Sequence, residues 1–385
     1  MADNKDKKVL NVPALRFPEF TEEWRLVHLD EIAEFQKHRI STSLLNNSNY
    51  ISTENILQNF EGIQSSPSIP ANTNVIEYQK GDILLSNIRP YLKKVWFADR
   101  KGGCSADVFV LRGDKCDQHF LYYVIASDRF INYVMSGAKG VKMPRGDKSQ
   151  MEKYAFSIPI NTEQRKIAKF LSILDERIRL QNKIIEDWKK LKSAIVEELY
   201  SATKGETYSF RQLLEVVNEK NRKLEYTNVL SASQELGMIK RSDINIDIKF
   251  EQDSICGYKI VRNGDYVVHL RSFQGGFAFS DKTGICSPAY TILRPNDLVV
   301  YGYLSHFFTS RLFIKSLKLV TYGIRDGRSI NVDEWLNMTV ILPTIQEQLH
   351  IIEIINSISS KLYNETRIYD SLLRQKSYLL KAMFI

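Results

Sequence analysis

The sequence predicts an α+β protein: two similar α/β-mixed domains joined by two long antiparallel helices forming a coiled coil, pseudo-twofold from an internal repeat. Three observations carry this. First, Ile158-Pro159-Ile160-Asn161-Thr162-Glu163-Gln164 returns 184 residues later as Leu342-Pro343-Thr344-Ile345-Gln346-Glu347-Gln348, and self-similarity at a fixed interval marks a duplicated unit. Second, each copy opens a stretch of about 38 residues with helical periodicity. Third, the repeat continues upstream with little slippage: Gly81-Asp82 matches Gly264-Asp265, and Cys104-Ser105 and Leu111-Arg112 match Cys286-Ser287 and Leu293-Arg294.

In chain order, residues 1–157 form the first mixed domain. A short amphipathic piece, Leu29 to Phe35, precedes strand-like alternation at Asp82 to Ser86 and Asp107 to Leu111. Gly81-Asp82 and Gly102-Gly103 are turn punctuation. A helical patch follows from Phe120 to Val134, then the Gly/Lys-rich loop Gly137 to Gly146 and a last strand into Pro159. Residues 158–207 are the first helical spacer, 208–341 repeat the mixed domain, and 342–385 repeat the helix.

In both helices the period is that of a coiled coil. Steps of four and three from Ile167 reach Leu171, Leu174, Ile178, Gln181, Ile185, Trp188, Lys192, Ile195 and Leu199. From Ile351 they reach Ile355, Ile358, Leu362, Glu365, Tyr369, Leu372, Lys376, Leu379 and Met383. Both seams are polar at the same two places, Gln181/Glu365 and Lys192/Lys376. A polar seam residue commonly fixes register by finding a partner. Antiparallel pairing with residue numbers summing to 557 sets Gln181 against Lys376 and Lys192 against Glu365. It also brings Ile185 to Leu372, Trp188 to Tyr369, Ile178 to Leu379 and Ile195 to Leu362. The alternative leaves both polar pairs at a wet edge.

A length of 385 residues, 43% hydrophobic, suffices for two ordinary cores. A net charge of +8 favours a polyanionic partner. The four cysteines, Cys104, Cys116, Cys256 and Cys286, form no CxxC pair, and only Cys116 has a histidine close by in sequence, His119, which argues against zinc and for a reducing cytoplasm. Cys104 and Cys286, repeat equivalents, read as small buried residues on matching strands. No run approaches the ~18 apolar residues of a membrane span, so the expected protein is soluble and cytoplasmic, with no membrane partner.

Catalytic constellations are scarce. The chain carries no GxxxxGK[ST] phosphate loop, HExxH or GxSxG, and no Pro-Pro with which to build the turn that holds a target amine in amino-methyltransferases. Asp82 and Asp265 could be nuclease carboxylates, yet no Glu-x-Lys or Asp-x-Lys follows in both halves, so they are assigned to turns. The expectation is no enzyme, no catalytic residue, no metal and no cofactor, with an unrecognised nuclease or methyltransferase as the alternative. Binding features are stronger. Arg89, Tyr91, Lys93 and Lys94 follow a strand in the first half, and Arg271 and Gln274 stand in the equivalent region of the second. Arginine can grip guanine, and glutamine adenine, through paired hydrogen bonds. The pre-helix loops add Lys139, Lys142 and Arg145, and Arg325 and Arg328, where glycines let cations approach phosphates. Solvated surface is the competing reading of such loops, against which their recurrence at one topological place counts.

The chain resembles the specificity subunit of type I restriction-modification systems. The resemblance runs from Val12-Pro-Ala-Leu-Arg-Phe-Pro-Glu-Phe20 with Trp24, through Gly81-Asp82-Ile-Leu-Leu-Ser86 and Gly264-Asp265, to Pro159-x-x-x-Glu163-Gln164 and Pro343-x-x-x-Glu347-Gln348 with their helices. It implies two target recognition domains, each reading one part of a split sequence in double-stranded DNA, and helices that set the gap. The implied partners are two modification (methyltransferase) subunits and the restriction (motor and nuclease) subunits. Asp175-Glu176 becomes Ser359-Ser360 in the second helix, so the two helical regions need not bind partners equivalently.

Overall fold

The computed structural model describes residues 10–65, 68–233, 236–243, 252–269, 276–322 and 329–385. It divides into two compact units, Met1–Gln181 with Ile368–Ile385, and Asn182–Arg367.

In the first unit a four-stranded antiparallel sheet has the order Ala33–Phe35, Val108–Gly113, Ile83–Ser86, Val95–Phe97. A second sheet runs Arg39–Ser41, Asn74–Tyr78, Gly102–Cys104, Tyr50–Ile51, its last pair parallel. Arg25–His28 pairs with Ala155–Ile158 immediately before the helix. Ile83, Leu84 and Leu85 are all buried, because this central strand has packed layers on both faces. The helical patch is two helices, Gln118–Ile125 and Asp128–Ser136. The break falls at Ser127, whose hydroxyl caps the second helix by accepting from the Phe130 amide at 3.2 Å.

The second unit repeats this plan. Its four-stranded sheet has the order Leu214–Val217, Thr291–Pro295, Tyr266–Val268, Phe277–Phe279, and Glu206–Ser209 pairs with Thr339–Leu342 before the second helix. Cys104 and Cys286 are wholly buried on the matching strands Gly102–Cys104 and Gly284–Cys286. Burial pushes both thiols up, Cys286 to about 12.

The long helices span Asn161–Ser201 and Ile345–Ala382. The second begins with a reciprocal cap: the Thr344 hydroxyl accepts from the Glu347 amide at 3.4 Å, and the Glu347 carboxylate from the Thr344 amide at 3.1 Å. In the first unit Ile167, Leu171 and Leu174 share a core with Leu372, Leu379 and Met383. In the second unit Val196 and Tyr200 share one with Ile351 and Ile355. Thus each unit packs an early part of one helix against a late part of the other, an antiparallel arrangement. Every seam position named above is buried or half-buried, while flanking residues such as Ile173, Leu180, Leu191 and Leu373 are exposed.

The register of the polar seam residues differs from the sum of 557. Lys376 makes its ion pair with Asp175 at 2.6 Å and not with Gln181. Asp175 flanks the seam beside Leu174, and a lysine stem is long enough to reach a flanking carboxylate. Glu365 pairs with Lys361 of its own helix rather than with Lys192.

Candidate nucleic-acid interface

Two loops of the first unit are joined by their backbones. The strand Ile83–Ser86 ends, and Pro90–Leu92 forms a single 3-10 turn bounded by Arg89 and Lys93, both left-handed at φ 50° and 52°. Non-glycine residues there store strain that surrounding contacts must hold. The Arg89 amide donates to Pro144 at 2.8 Å, and the Gly146 amide to Asn87 at 3.1 Å. Lys139 and Arg145 exchange backbone hydrogen bonds at 3.0 and 2.9 Å, closing a hairpin over Gly140–Pro144. Gly140 sits at φ +95°. A Cβ on Gly146 would lie 2.3 Å from the flexible end of Met151 and 2.9 Å from a Val134 methyl, so a larger residue there would make both side chains shift.

Arg89, Tyr91, Lys139, Lys142 and Arg145 are thereby gathered on two linked loops, all exposed. Three cations of the set have acidic neighbours: Lys93 pairs with Asp128, Lys139 with Asp147 at 2.9 Å and Arg145 with Asp107 at 3.3 Å. Such exposed pairs are weak and exchangeable for phosphate. Among the described residues no ion pair holds Arg89 or Lys142. Lys94 points inward, donating to the Thr53 carbonyl at 2.6 Å, and burial lowers its pKa. Arg271, Gln274, Arg325 and Arg328 lie outside the described residues. The strands Thr321–Tyr322 and Ser329–Ile330 pair antiparallel on either side of the last two.

The Gly-Asp motif has a role that the sequence reading divided in two. Asp82 is buried, accepts from the Gln79 amide at 2.7 Å, and is gripped by the Arg112 guanidinium with both contacts at 2.7 Å. Asp265 repeats this with the Arg262 amide at 2.8 Å and Arg294 at 2.9 Å twice. The repeated Leu-Arg pair was the available signal. Each carboxylate engages both oxygens in a turn-and-arginine clasp, which suits an anchor of the central strand better than a metal ligand. No cluster of metal-ligating side chains occurs among the described residues.

The repeated glutamine is an internal hook. Gln164 accepts from the Asp117 amide at 2.8 Å and donates to Pro159 at 2.8 Å. Gln348 accepts from Val300 at 2.8 Å and donates to Leu298 and Pro343 at 2.9 and 3.0 Å. Each ties the start of a long helix to the loop after the strand Val108–Gly113 or Thr291–Pro295. The preceding glutamates diverge: Glu163 is buried under Arg16, which binds it through two contacts at 2.8 Å, whereas Glu347 is an exposed helix cap.

Residues 21–189 match the family model for the type I restriction modification DNA specificity domain. The chain is also similar, at 24% identity over 92% of its length and 90% of the relative's, to the type I restriction enzyme MjaVIII specificity subunit of Methanocaldococcus jannaschii. Residues 21–189 thus carry the likeness to a type I restriction modification DNA specificity domain. The matched domain and the relatives support a DNA sequence-recognition subunit. A match at 24% to the EcoDI specificity subunit of Escherichia coli covers 40% of this chain and only 35% of that one. Two solved structures share the fold. A chain from a study of complex assembly and conformational transition of the type I R-M system has TM-score 0.58 and 17% identity, covering 93% of this chain and 96% of that one. The type I restriction-modification S subunit from M. genitalium has TM-score 0.57 and 14% identity, covering 97% and 99%. Among the described residues, no helix is long and apolar enough to cross a membrane.

Proposed function

We propose that the chain reads a two-part DNA sequence, one part through each mixed domain, and that its long helices set the separation of the parts and carry the modification subunits. The functional boundaries are target recognition at 1–157 and 208–341, and helical regions at 158–207 and 342–385. The observation that carries this reading is the duplication of one scaffold around different loops. The Asp-Arg clasp and glutamine hook recur in both units, while Arg89-Pro-Tyr-Leu-Lys in one half is replaced by Arg271-Ser-Phe-Gln-Gly in the other. Readers of two different half-sequences need a common frame and divergent base-contacting loops.

The first-unit loop pair supports DNA contact, since exposed cations on a strained, hydrogen-bonded support can neutralise phosphates without first being ordered. A helix of 41 residues at ~1.5 Å per residue is roughly 60 Å long, ample to span the ~34 Å of one DNA turn. Chemistry is assigned to partners: two modification subunits that methylate adenine, and restriction subunits that cut. The chain alone is expected to turn over nothing when incubated with DNA, Mg²⁺ and S-adenosylmethionine.

The test is to map methylated adenines in a genome with and without this gene, its modification subunit being present. Two fixed half-sequences at one constant separation are expected. A single contiguous site, or methylation independent of the chain, contradicts the reading.

A further inference from the structure

The hairpin at 139–145 presents an apolar tip that phosphate binding does not use. Val141 is 100% exposed and Met143 is 48% exposed, between Lys139, Lys142 and Arg145. The hairpin is closed by the Lys139/Arg145 hydrogen bonds and anchored on the neighbouring loop through Arg89 and Gly146, so the tip is built rather than loose. A branched aliphatic residue at such a place gains nothing from phosphate oxygens. It does gain free energy, about 25 cal/mol per Å² of apolar area covered, from contact with an apolar base edge. Its χ1 is already restricted, so little side-chain freedom is lost on contact.

The tip is also part of the repeat. Gly140-Val141-Lys142 and Arg145 recur 183 residues later as Gly323-Ile324-Arg325 and Arg328. Both halves therefore keep glycine, then a β-branched aliphatic, then a cation.

We propose that Val141 is a specificity-determining residue, an apolar base contact that meets a thymine methyl in the major groove, where that methyl is the apolar feature on offer. The inference rests on the DNA-reading function proposed above. It assigns the neighbouring cations to phosphate positioning.

The test uses the chain in complex with its modification subunits and measures affinity by fluorescence anisotropy. The duplexes are the mapped target, the target with uracil replacing thymine in one half-site at a time, and an unrelated sequence. Uracil lacks the methyl group. Val141→Ser is expected to weaken target binding about tenfold, leave the unrelated duplex unchanged, and abolish the uracil penalty in one half-site. Lys142→Ala, by contrast, should weaken both duplexes alike. Equal effects of Val141→Ser on both duplexes, no effect on either, or no uracil penalty in the wild type overturns the inference while leaving DNA reading intact. A wild-type complex that binds target and unrelated duplex equally overturns both.

Discussion

Lys376 and Asp175 form a cross-helix ion pair at 2.6 Å, and the same carboxylate accepts from the Tyr123 hydroxyl at 2.9 Å. The lysine is 13% exposed, so losing that partner would strand its charge. The repeat-equivalent Lys192 has no such help: Ser359 replaces the aspartate, and burial lowers the Lys192 pKa. Asp175→Ala is therefore expected to destabilise the chain by about 3 kcal/mol, whereas adding Lys376→Met to Asp175→Ala should restore much of the loss, because an apolar residue of similar length leaves no stranded charge. Urea unfolding of the four proteins measures the cycle. Additive single effects would remove the coupling.

The Asp-Arg clasps hold strands rather than chemistry. Asp82→Ala leaves Arg112 and the Gln79 amide without their acceptor and should cost about 2–4 kcal/mol. Asp265→Ala should do likewise through Arg294. In both variants the complex should methylate the same sequence at permissive temperature. Loss of methylation with unaltered melting temperature would point to chemistry at these carboxylates.

His306 gives the fold an acid-sensitive step. Burial, and secondarily the nearby Lys192, lower its pKa from 6.5 to about 4. Between those values the unfolded chain binds the proton and the folded chain does not. The contribution is therefore fully present above about pH 6.5 and lost as pH falls toward 4, on the order of 3 kcal/mol in all. Denaturant midpoints measured from pH 7 to 4 should fall for the wild type and fall less for His306→Gln. Parallel curves would contradict the assignment.

The glutamine hooks should matter to stability more than to binding. Gln164→Ala strands the Asp117 amide at the start of the helix Gln118–Ile125, and about 1–3 kcal/mol should be lost. Gln164→Glu keeps an acceptor for that amide while replacing the donor to Pro159, and should recover part of the loss. Thermal melts of the two variants decide, and equal melting temperatures would contradict the hook.

Much of the frame was legible in the sequence because it repeats. The Pro-x-x-x-Glu-Gln motif marks both helix starts, and the four-three steps pick out residues that are covered in both helices. Contacts across the fold were less legible. Gly-Asp and Leu-Arg were each visible as repeats, but nothing in their spacing of about 30 residues says that adjacent antiparallel strands bring Asp82 to Arg112. Identical letters also hid different roles: Glu163 is buried by the N-terminal residue Arg16, while Glu347 caps its own helix. Lys94 belongs to a basic run, yet its stem turns inward to Thr53. The register failed at Lys376 because only seam positions were considered, and its partner stands beside the seam.

If the long helices space the two readers, lengthening those helices must widen the gap between the half-sequences. One heptad inserted at Gln181 and one at its repeat equivalent Glu365 adds roughly 10 Å to each helix while keeping the seam in phase. Methylated adenines mapped with this variant should show both half-sequences unchanged and a gap longer by about three base pairs, at ~3.4 Å per pair. Altered half-sequences with the original gap would contradict it.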